Sequence, residues 1–171
     1  MNARTARPVP DDVRLAAFDV DGVFTDGRFY LSDAGVETKA FSTQDGFGIK
    51  KLLAAHVQVA VISSRRSGAV ESRMRELGVP HVVQGVADKA AAFNNIIGSL
   101  QLKAEQCVYV GDDVPDLPVL KLAGFAIAVA NAVDEVRASC DYTTRAAGGS
   151  GAVREICELL LAARKTDRAN G

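Results

Sequence analysis

The sequence predicts an α/β protein, a doubly wound parallel sheet with a β-hairpin inserted after its first strand. Three observations predict it. Short apolar, β-branched runs alternate with helix-period segments at βαβ spacing. Nearly every run is closed by Gly or Ser. Carboxylates, hydroxyls and one ammonium collect just beyond those closures, where ligands bind in open α/β sheets.

The elements follow in chain order. Residues 15–20 (LAAFDV) read as a buried strand that Gly22 breaks. Residues 28–31 (RFYL), the turn 32–35 (SDAG) and residues 36–41 (VETKAF) read as the inserted hairpin. Ile49, Leu52, Leu53 and His56 then follow i, i+3, i+4, i+7, the apolar stripe of a helix. Residues 57–62 (VQVAVI) form a β-branched run ending at Ser63. The helix carrying Val70 and Leu77 is punctuated by Gly78 and Pro80. Residues 81–83 (HVV) stop at Gly85, and Phe93, Ile96, Ile97 and Leu100 repeat the helical spacing. Residues 107–110 (CVYV) end at Gly111, and 125–129 (FAIAV) are a fifth run. Val153, Ile156, Cys157 and Leu160 mark a last helix. Right-handed crossovers between these strands give the doubly wound arrangement.

Composition narrows the class. The chain has 171 residues, of which 48% are hydrophobic and 24% charged, within the range of one soluble domain. We expect that domain to span residues 11–164, with flexible tails at 1–10 and 165–171. A net charge of -1 gives no footprint for nucleic acid or an anionic membrane. Cys107, Cys140 and Cys157 lack metal-ligand spacing and read as thiols in a reducing compartment. No apolar run approaches the roughly 20 residues of a membrane span. With no apolar signal region in residues 1–10, the expected location is cytoplasmic.

The chemistry lies at the strand ends. Asp19 and Asp21, two residues apart where a strand becomes a loop, crowd two carboxylates together. A hard divalent cation relieves that repulsion, and an aspartate can attack phosphorus. Read alone, the pair is equally an acidic turn or a calcium-type loop. Ser63 and Ser64 end the second strand, Asp88 and Lys89 open the helix after the third, and Gly111-Asp112-Asp113 with Asp116 follow the fourth. Singly, Ser63 is a helix cap, Lys89 a surface lysine, and the later aspartates are helix-start charges. Their joint occurrence, in this order, suits a phosphate group plus a metal ion.

These residues resemble the four motifs of the haloacid-dehalogenase superfamily of phosphohydrolases: Asp19 to Thr25, Ser63, Lys89, and Gly111-Asp112-Asp113 with Asp116. The resemblance implies that Asp19 is the nucleophile and Asp21 the general acid and base. It implies that Ser63 and Lys89 hold the transferring phosphoryl group. It implies Mg2+ held by Asp19, the backbone carbonyl of Asp21 and Asp112, with Asp113 and Asp116 supporting the metal shell. It also implies a member without a cap domain, because only the hairpin and one helix separate the first two motifs and one helix the last two. A neighbouring subunit is then expected to close the site.

Residues 45–49 (DGFGI), 81–85 (HVVQG), 111–119 (GDDVPDLPV) and 148–155 (GGSGAVRE) extend the likeness. They resemble the sugar-acid phosphatases that act on 3-deoxy-D-manno-octulosonate 8-phosphate in lipopolysaccharide synthesis, and their nine-carbon-sugar relatives. That group implies a homotetramer with hairpins in a central barrel, and a glycine-rich lid at Gly148, Gly149 and Gly151. Asp26, Asp45, Gly46 and Arg65 are the residues expected at the sugar. Gln44 and Ser150 stand where the group often has arginine, which leaves Arg65 and Arg66 as candidate carboxylate partners. The other readings are a phosphatase for a nonulosonate 9-phosphate or another sugar phosphate, and a non-catalytic binding subunit on the same fold.

Overall fold

The computed structural model describes residues 7–169, with backbone alone for 165–169. Six parallel strands form the main sheet: β1 (Leu15–Phe18), β4 (Gln58–Ser63), β5 (His81–Gln84), β6 (Cys107–Gly111), β7 (Phe125–Ala128) and β8 (Tyr142–Thr143). A separate antiparallel pair, β2 (Tyr30–Leu31) and β3 (Glu37–Thr38), is the expected hairpin. Among the described residues there are six α-helices: α1 (Thr43–Ala54), α2 (Gly68–Leu77), α3 (Lys89–Ser99), α4 (Leu117–Leu122), α5 (Asp134–Ser139) and α6 (Ala152–Ala169).

The sheet order is β5-β4-β1-β6-β7-β8. From central β1 the chain runs outward through β4 and β5, then crosses to β6, β7 and β8 on the other side. The winding reverses at β1, and a crevice opens beyond strands diverging from such a point. Phe18 stands level with Val61 of β4 and Val110 of β6, which brings the ends of all three strands together. Every residue of β1 and β6 is buried, as expected of parallel strands covered on both faces. One apolar cluster runs through the molecule and includes Phe18, Phe93, Tyr109 and Phe125. α1 packs against α6 and α2, while α3 packs against α4 and α4 against α5.

Four differences from the sequence reading have physical causes. α1 ends at Ala54, and exposed His56 takes φ 59° in the turn that lets Val57 enter β4, so its apparent helical place lies past the helix. β1 ends at Phe18 rather than residue 20, because the backbone coils there and the amides of Val23, Phe24 and Thr25 turn back to the Val20 carbonyl. β8 carries no apolar run and pairs with β7 over two residues only, a signal too short for alternation to show. The ends are also tied in. Arg7 donates twice to Asp141, Val9 packs on the core, and α6 runs on to Ala169, five residues past the expected boundary at 164. The rest of the expected tails, residues 1–6 and 170–171, lies outside the described residues.

Candidate active site

A cavity of about 220 Å³ opens beyond the ends of β1, β4 and β6. Asp19, Asp21, Ser63, Arg65, Lys89, Asp112, Asp113 and Asp116 all line it. Four stretches of chain, 97 residues apart at their extremes (Asp19 to Asp116), thus meet at one point.

Each side chain is set by local structure. Asp19 continues β1, its amide bonded to the Val110 carbonyl at 2.9 Å. Gly22 then turns the chain at φ 88°, and a Cβ there would lie 1.9 Å from Asp112 Oδ2. Only glycine lets the two acidic loops approach so closely. The buried Thr25 hydroxyl accepts from the amides of Gly22 and Gly27 and fixes the loop's return. Ser63 closes β4, and its oxygen accepts from the Arg65 amide at 3.2 Å, which leaves the hydroxyl proton free to donate. Asp88 caps α3 by accepting from the Ala91 amide, so Lys89 enters the site from the first turn.

Buried Asp116 is the hub. Its Oδ1 accepts from Lys89 Nζ at 2.8 Å and from the Tyr109 hydroxyl at 2.9 Å. Its Oδ2 accepts from the amides of Asp112 and Asp113. With both oxygens engaged, Asp116 positions the groups around it. Lys89 Nζ also lies 2.9 Å from Asp19 Oδ2. Asp113, also on the cavity wall, accepts from the Val114 amide and caps the turn there.

Charge in this cluster is out of balance. Oxygens of Asp19, Asp112 and Asp116 lie within 4.8 Å of one another, with Lys89 the cation among them. Burial, then repulsion from Asp116, pushes Asp19 up to about 6 against the pull of Lys89. Burial, then repulsion from Asp19, Asp116 and Asp113, pushes Asp112 up to about 8. Burial opposes the charge on Lys89, but Asp19 and Asp116 outweigh it and hold its pKa above the ordinary value. Asp112 Oδ1 is buried with no hydrogen-bond partner. A buried, unpaired carboxylate oxygen facing a second carboxylate is the environment a hard cation fits.

The sugar-directed residues are not gathered in the same way. Arg65 reaches the cavity, stacks on Phe29 with Cζ 4.2 Å from the ring centre, and donates to Glu37. Asp26 is exposed and accepts from the Arg28 amide. Asp45 is buried away from the cavity, where it accepts from the Arg154 and Gly151 amides and holds the start of α6. Burial raises its pKa against those bonds. Gly46 packs against Arg73 and Leu77. Of these four residues, the geometry of one copy therefore brings only Arg65 to the cavity. The glycine-rich segment does not line it either. Gly148 donates to Asn131 Oδ1, Asn131 donates to the Gly22 carbonyl, and Gly149 donates to the Val23 carbonyl. The segment expected as a lid is bound to the far side of the acidic loop. Sequence reasoning missed Lys39, a buried cation paired with Asp21, and Tyr109, whose hydroxyl holds Asp116. Lys39 stands inside a hairpin with no motif of its own, and Tyr109 reads as one more apolar strand residue.

An aspartate at the switch point, a lysine bridged between it and a second aspartate, and a third aspartate with an unpartnered oxygen are the arrangement of a haloacid dehalogenase-like hydrolase, and that family's model matches residues 78–156. The 3-deoxy-D-manno-octulosonate 8-phosphate phosphatase KdsC of Escherichia coli K12 is 44% identical over 162 residues, 94% of this chain and 86% of the relative. A crystal structure of the corresponding phosphatase from Yersinia pestis superposes with TM-score 0.89 at 42% identity, covering 91% of this chain and 84% of that one. The Moraxella catarrhalis phosphatase, solved with magnesium ion, phosphate ion and KDO, superposes equally well at 42% identity, covering 93% and 91%. The chain belongs to the 3-deoxy-D-manno-octulosonate 8-phosphate phosphatase family of haloacid dehalogenase-like hydrolases.

Proposed function

We propose that this protein is a Mg2+-dependent phosphatase that hydrolyses 3-deoxy-D-manno-octulosonate 8-phosphate to the free sugar acid and phosphate, a step of lipopolysaccharide biosynthesis. The observation that carries it is the pairing of Asp19 with Lys89 at the end of β1, opposite the partnerless oxygen of Asp112. Relatives named for this substrate, one solved with magnesium, phosphate and KDO, support the choice.

The residues divide the work. A carboxylate oxygen of Asp19 attacks phosphorus as the bond to the sugar oxygen breaks, leaving an aspartyl-phosphate. Asp21 gives its proton to the departing oxygen, then takes one from the water that cleaves the aspartyl-phosphate. The Ser63 hydroxyl and the Lys89 ammonium donate to the phosphoryl oxygens, where charge gathers in the transition state. Asp116 and Tyr109 hold Lys89 in place. Asp19, Asp112 and the Asp21 carbonyl would hold Mg2+, with Asp113 and Asp116 behind them. The ion supplies positive charge to the transferring group. Three clustered carboxylates against one ammonium leave the two negative charges that a divalent cation neutralises.

Arg65, whose fork suits a carboxylate, is the residue for the sugar acid. Asp26, Asp45 and Gly46 remain sugar-side proposals that need a contribution from outside the cavity of one copy. Residues 11–164 hold the catalytic domain and its apolar cluster, with Arg7, Val9 and the rest of α6 attached to it. A homotetramer formed through the hairpins is supported by the exposed Tyr30, Leu31 and Val36. A cytoplasmic location agrees with the buried thiols of Cys107 and Cys157, and among the described residues no helix is long and apolar enough to cross a membrane.

Phosphate release with Mg2+ across a panel of sugar phosphates tests the reading. The octulosonate 8-phosphate is expected to give the highest kcat/KM. A nonulosonate 9-phosphate in first place would keep the chemistry and move the substrate. No release from any phosphate would leave a binding subunit.

A further inference from the structure

Lys39 is a buried cation that the four motifs do not use. Its side chain is fully buried, at the end of the hairpin strand β3. Its ammonium pairs with Asp21 Oδ1, and Glu37 Oε1 lies 3.8 Å away. The second oxygen, Asp21 Oδ2, faces Arg65 Nε at 3.8 Å, beyond hydrogen-bond length. Phe29 closes the group from above, 5.9 Å from Lys39 Nζ and 4.2 Å from Arg65 Cζ. A desolvated ammonium is unfavourable without paired carboxylates, and Asp21 and Glu37 supply them to the Lys39 that the hairpin delivers.

The geometry matters because Asp21 stands on a loop. It comes three residues after the end of β1 and precedes Gly22, with no backbone hydrogen bond to its carboxylate among those described. Proton transfer requires a carboxyl oxygen within hydrogen-bond reach of the departing oxygen. With Oδ1 held by Lys39, Oδ2 is the oxygen left to face the cavity. We propose that Lys39 is a positioning residue for Asp21: it grips Oδ1 so that Oδ2 is presented to the leaving group. This rests on the assignment of Asp21 as general acid. The step is balanced within the active site: phosphorus gains a bond to Asp19 and loses the one to the leaving oxygen, which takes the Oδ2 proton.

The test compares two leaving groups. A sugar alkoxide needs a proton to depart, whereas 2,4-dinitrophenolate leaves without one. kcat/KM reports the steps through departure and excludes the later hydrolysis. Lys39→Met is expected to lower kcat/KM on the octulosonate 8-phosphate at least about tenfold, part of the 10²–10⁴ that general acid catalysis supplies, with less than about threefold loss on 2,4-dinitrophenyl phosphate. Lys39→Arg should recover most of the alkyl activity. In an Asp21→Asn background, Lys39→Met should produce no further alkyl-selective loss, since the two act as one unit.

Activity on the aryl ester shows that each variant is folded and its nucleophile intact. Equal losses on both esters, or no loss on the sugar phosphate, would overturn the role of Lys39. If Lys39→Met does not fold, the ratio is read on Lys39→Gln, which keeps a donor without the charge. Asp21→Asn with no alkyl-selective loss would instead overturn the acid assignment itself, so the two failures are separable.

Discussion

At the scale of the residue, Asp112 shows how the site differs from an ordinary acidic turn. Its carboxylate is pushed up to about 8 by burial and by three neighbouring aspartates. A carboxylate raised above its unfolded value contributes stability below the unfolded pKa, near 4, and loses it as pH rises through the folded one. The metal-free protein is therefore expected to lose thermal stability between about pH 4 and pH 8. Cation binding requires the deprotonated form, so added Mg2+ should raise the melting temperature more at pH 8 than at pH 5. Melts in EDTA and in excess Mg2+ at both pH values check this; an equal shift at both would remove Asp112 as the binding group. Asp19→Asn removes the nucleophile and should drop phosphate release by roughly 10⁴-fold or more. It also relieves repulsion with Asp116 and Asp112, while Lys89 keeps Asp116. Its metal-free melting temperature should not fall below that of the parent. Residual turnover at the parent rate would remove the aspartyl-phosphate.

The motif residues were legible for a physical reason. Asp19 and Asp112 each stand one step past a strand, Ser63 ends one and Lys89 starts a helix, so the strand pattern alone aligned them at one edge of the sheet. Lys39 and Tyr109 were not legible, because their roles depend on a partner across the fold. Asp45 has a second task that the sequence does not show. Its Asp-Gly pair looks like part of a binding loop, yet its carboxylate satisfies the amides at the start of α6, a task visible only once α1 and α6 are packed together.

Elements carry the next level of argument, and the glycine-rich stretch before α6 is the clearest case. The sequence shows three glycines in four residues, which fits a mobile lid as well as a tight packing site. One distance supports tight packing: a Cβ on Gly148 would lie 1.7 Å from the Gly22 carbonyl oxygen. Backbone meets backbone there, and neither side can rotate away. Gly148→Ala is expected to destabilise by about 1–3 kcal/mol, as overpacking does, and to shift the melting point by roughly 2–4 °C per kcal/mol in a chain of this size. Because Gly22 lies between Asp21 and Asp112, kcat should fall as well. A variant with unchanged melting and kcat would show that the segment yields freely and would return it to the role of a lid. Strands and helices with a long apolar period were read correctly, whereas β8 was invisible because two residues carry no period.

At the scale of the whole molecule, the hairpin is the part that one copy leaves incomplete. β2 and β3 pair over two residues each and share no ladder with the main sheet. A two-stranded hairpin is marginal in water unless something packs on it. Its Tyr30, Leu31 and Val36 are 59%, 63% and 61% exposed, while its other side delivers Glu37 and Lys39 to the active site. An element that is apolar outward and paired with Asp21 inward would tie assembly to activity. Copies that bury these three residues against one another would fix the inward face as well. Leu31→Lys with Val36→Lys places like charges at that contact, on positions that do not touch the cavity. We expect light scattering to give a four-copy mass for the parent and a smaller one for the double variant. The smaller species should lose phosphatase activity more steeply on the sugar phosphate than on an aryl phosphate, because a loosened hairpin releases Lys39 from Asp21 before it disturbs Asp19 or Lys89. A monomeric double variant with full activity on both would separate assembly from catalysis, and a parent that is itself monomeric would leave the exposed hairpin face to a different partner.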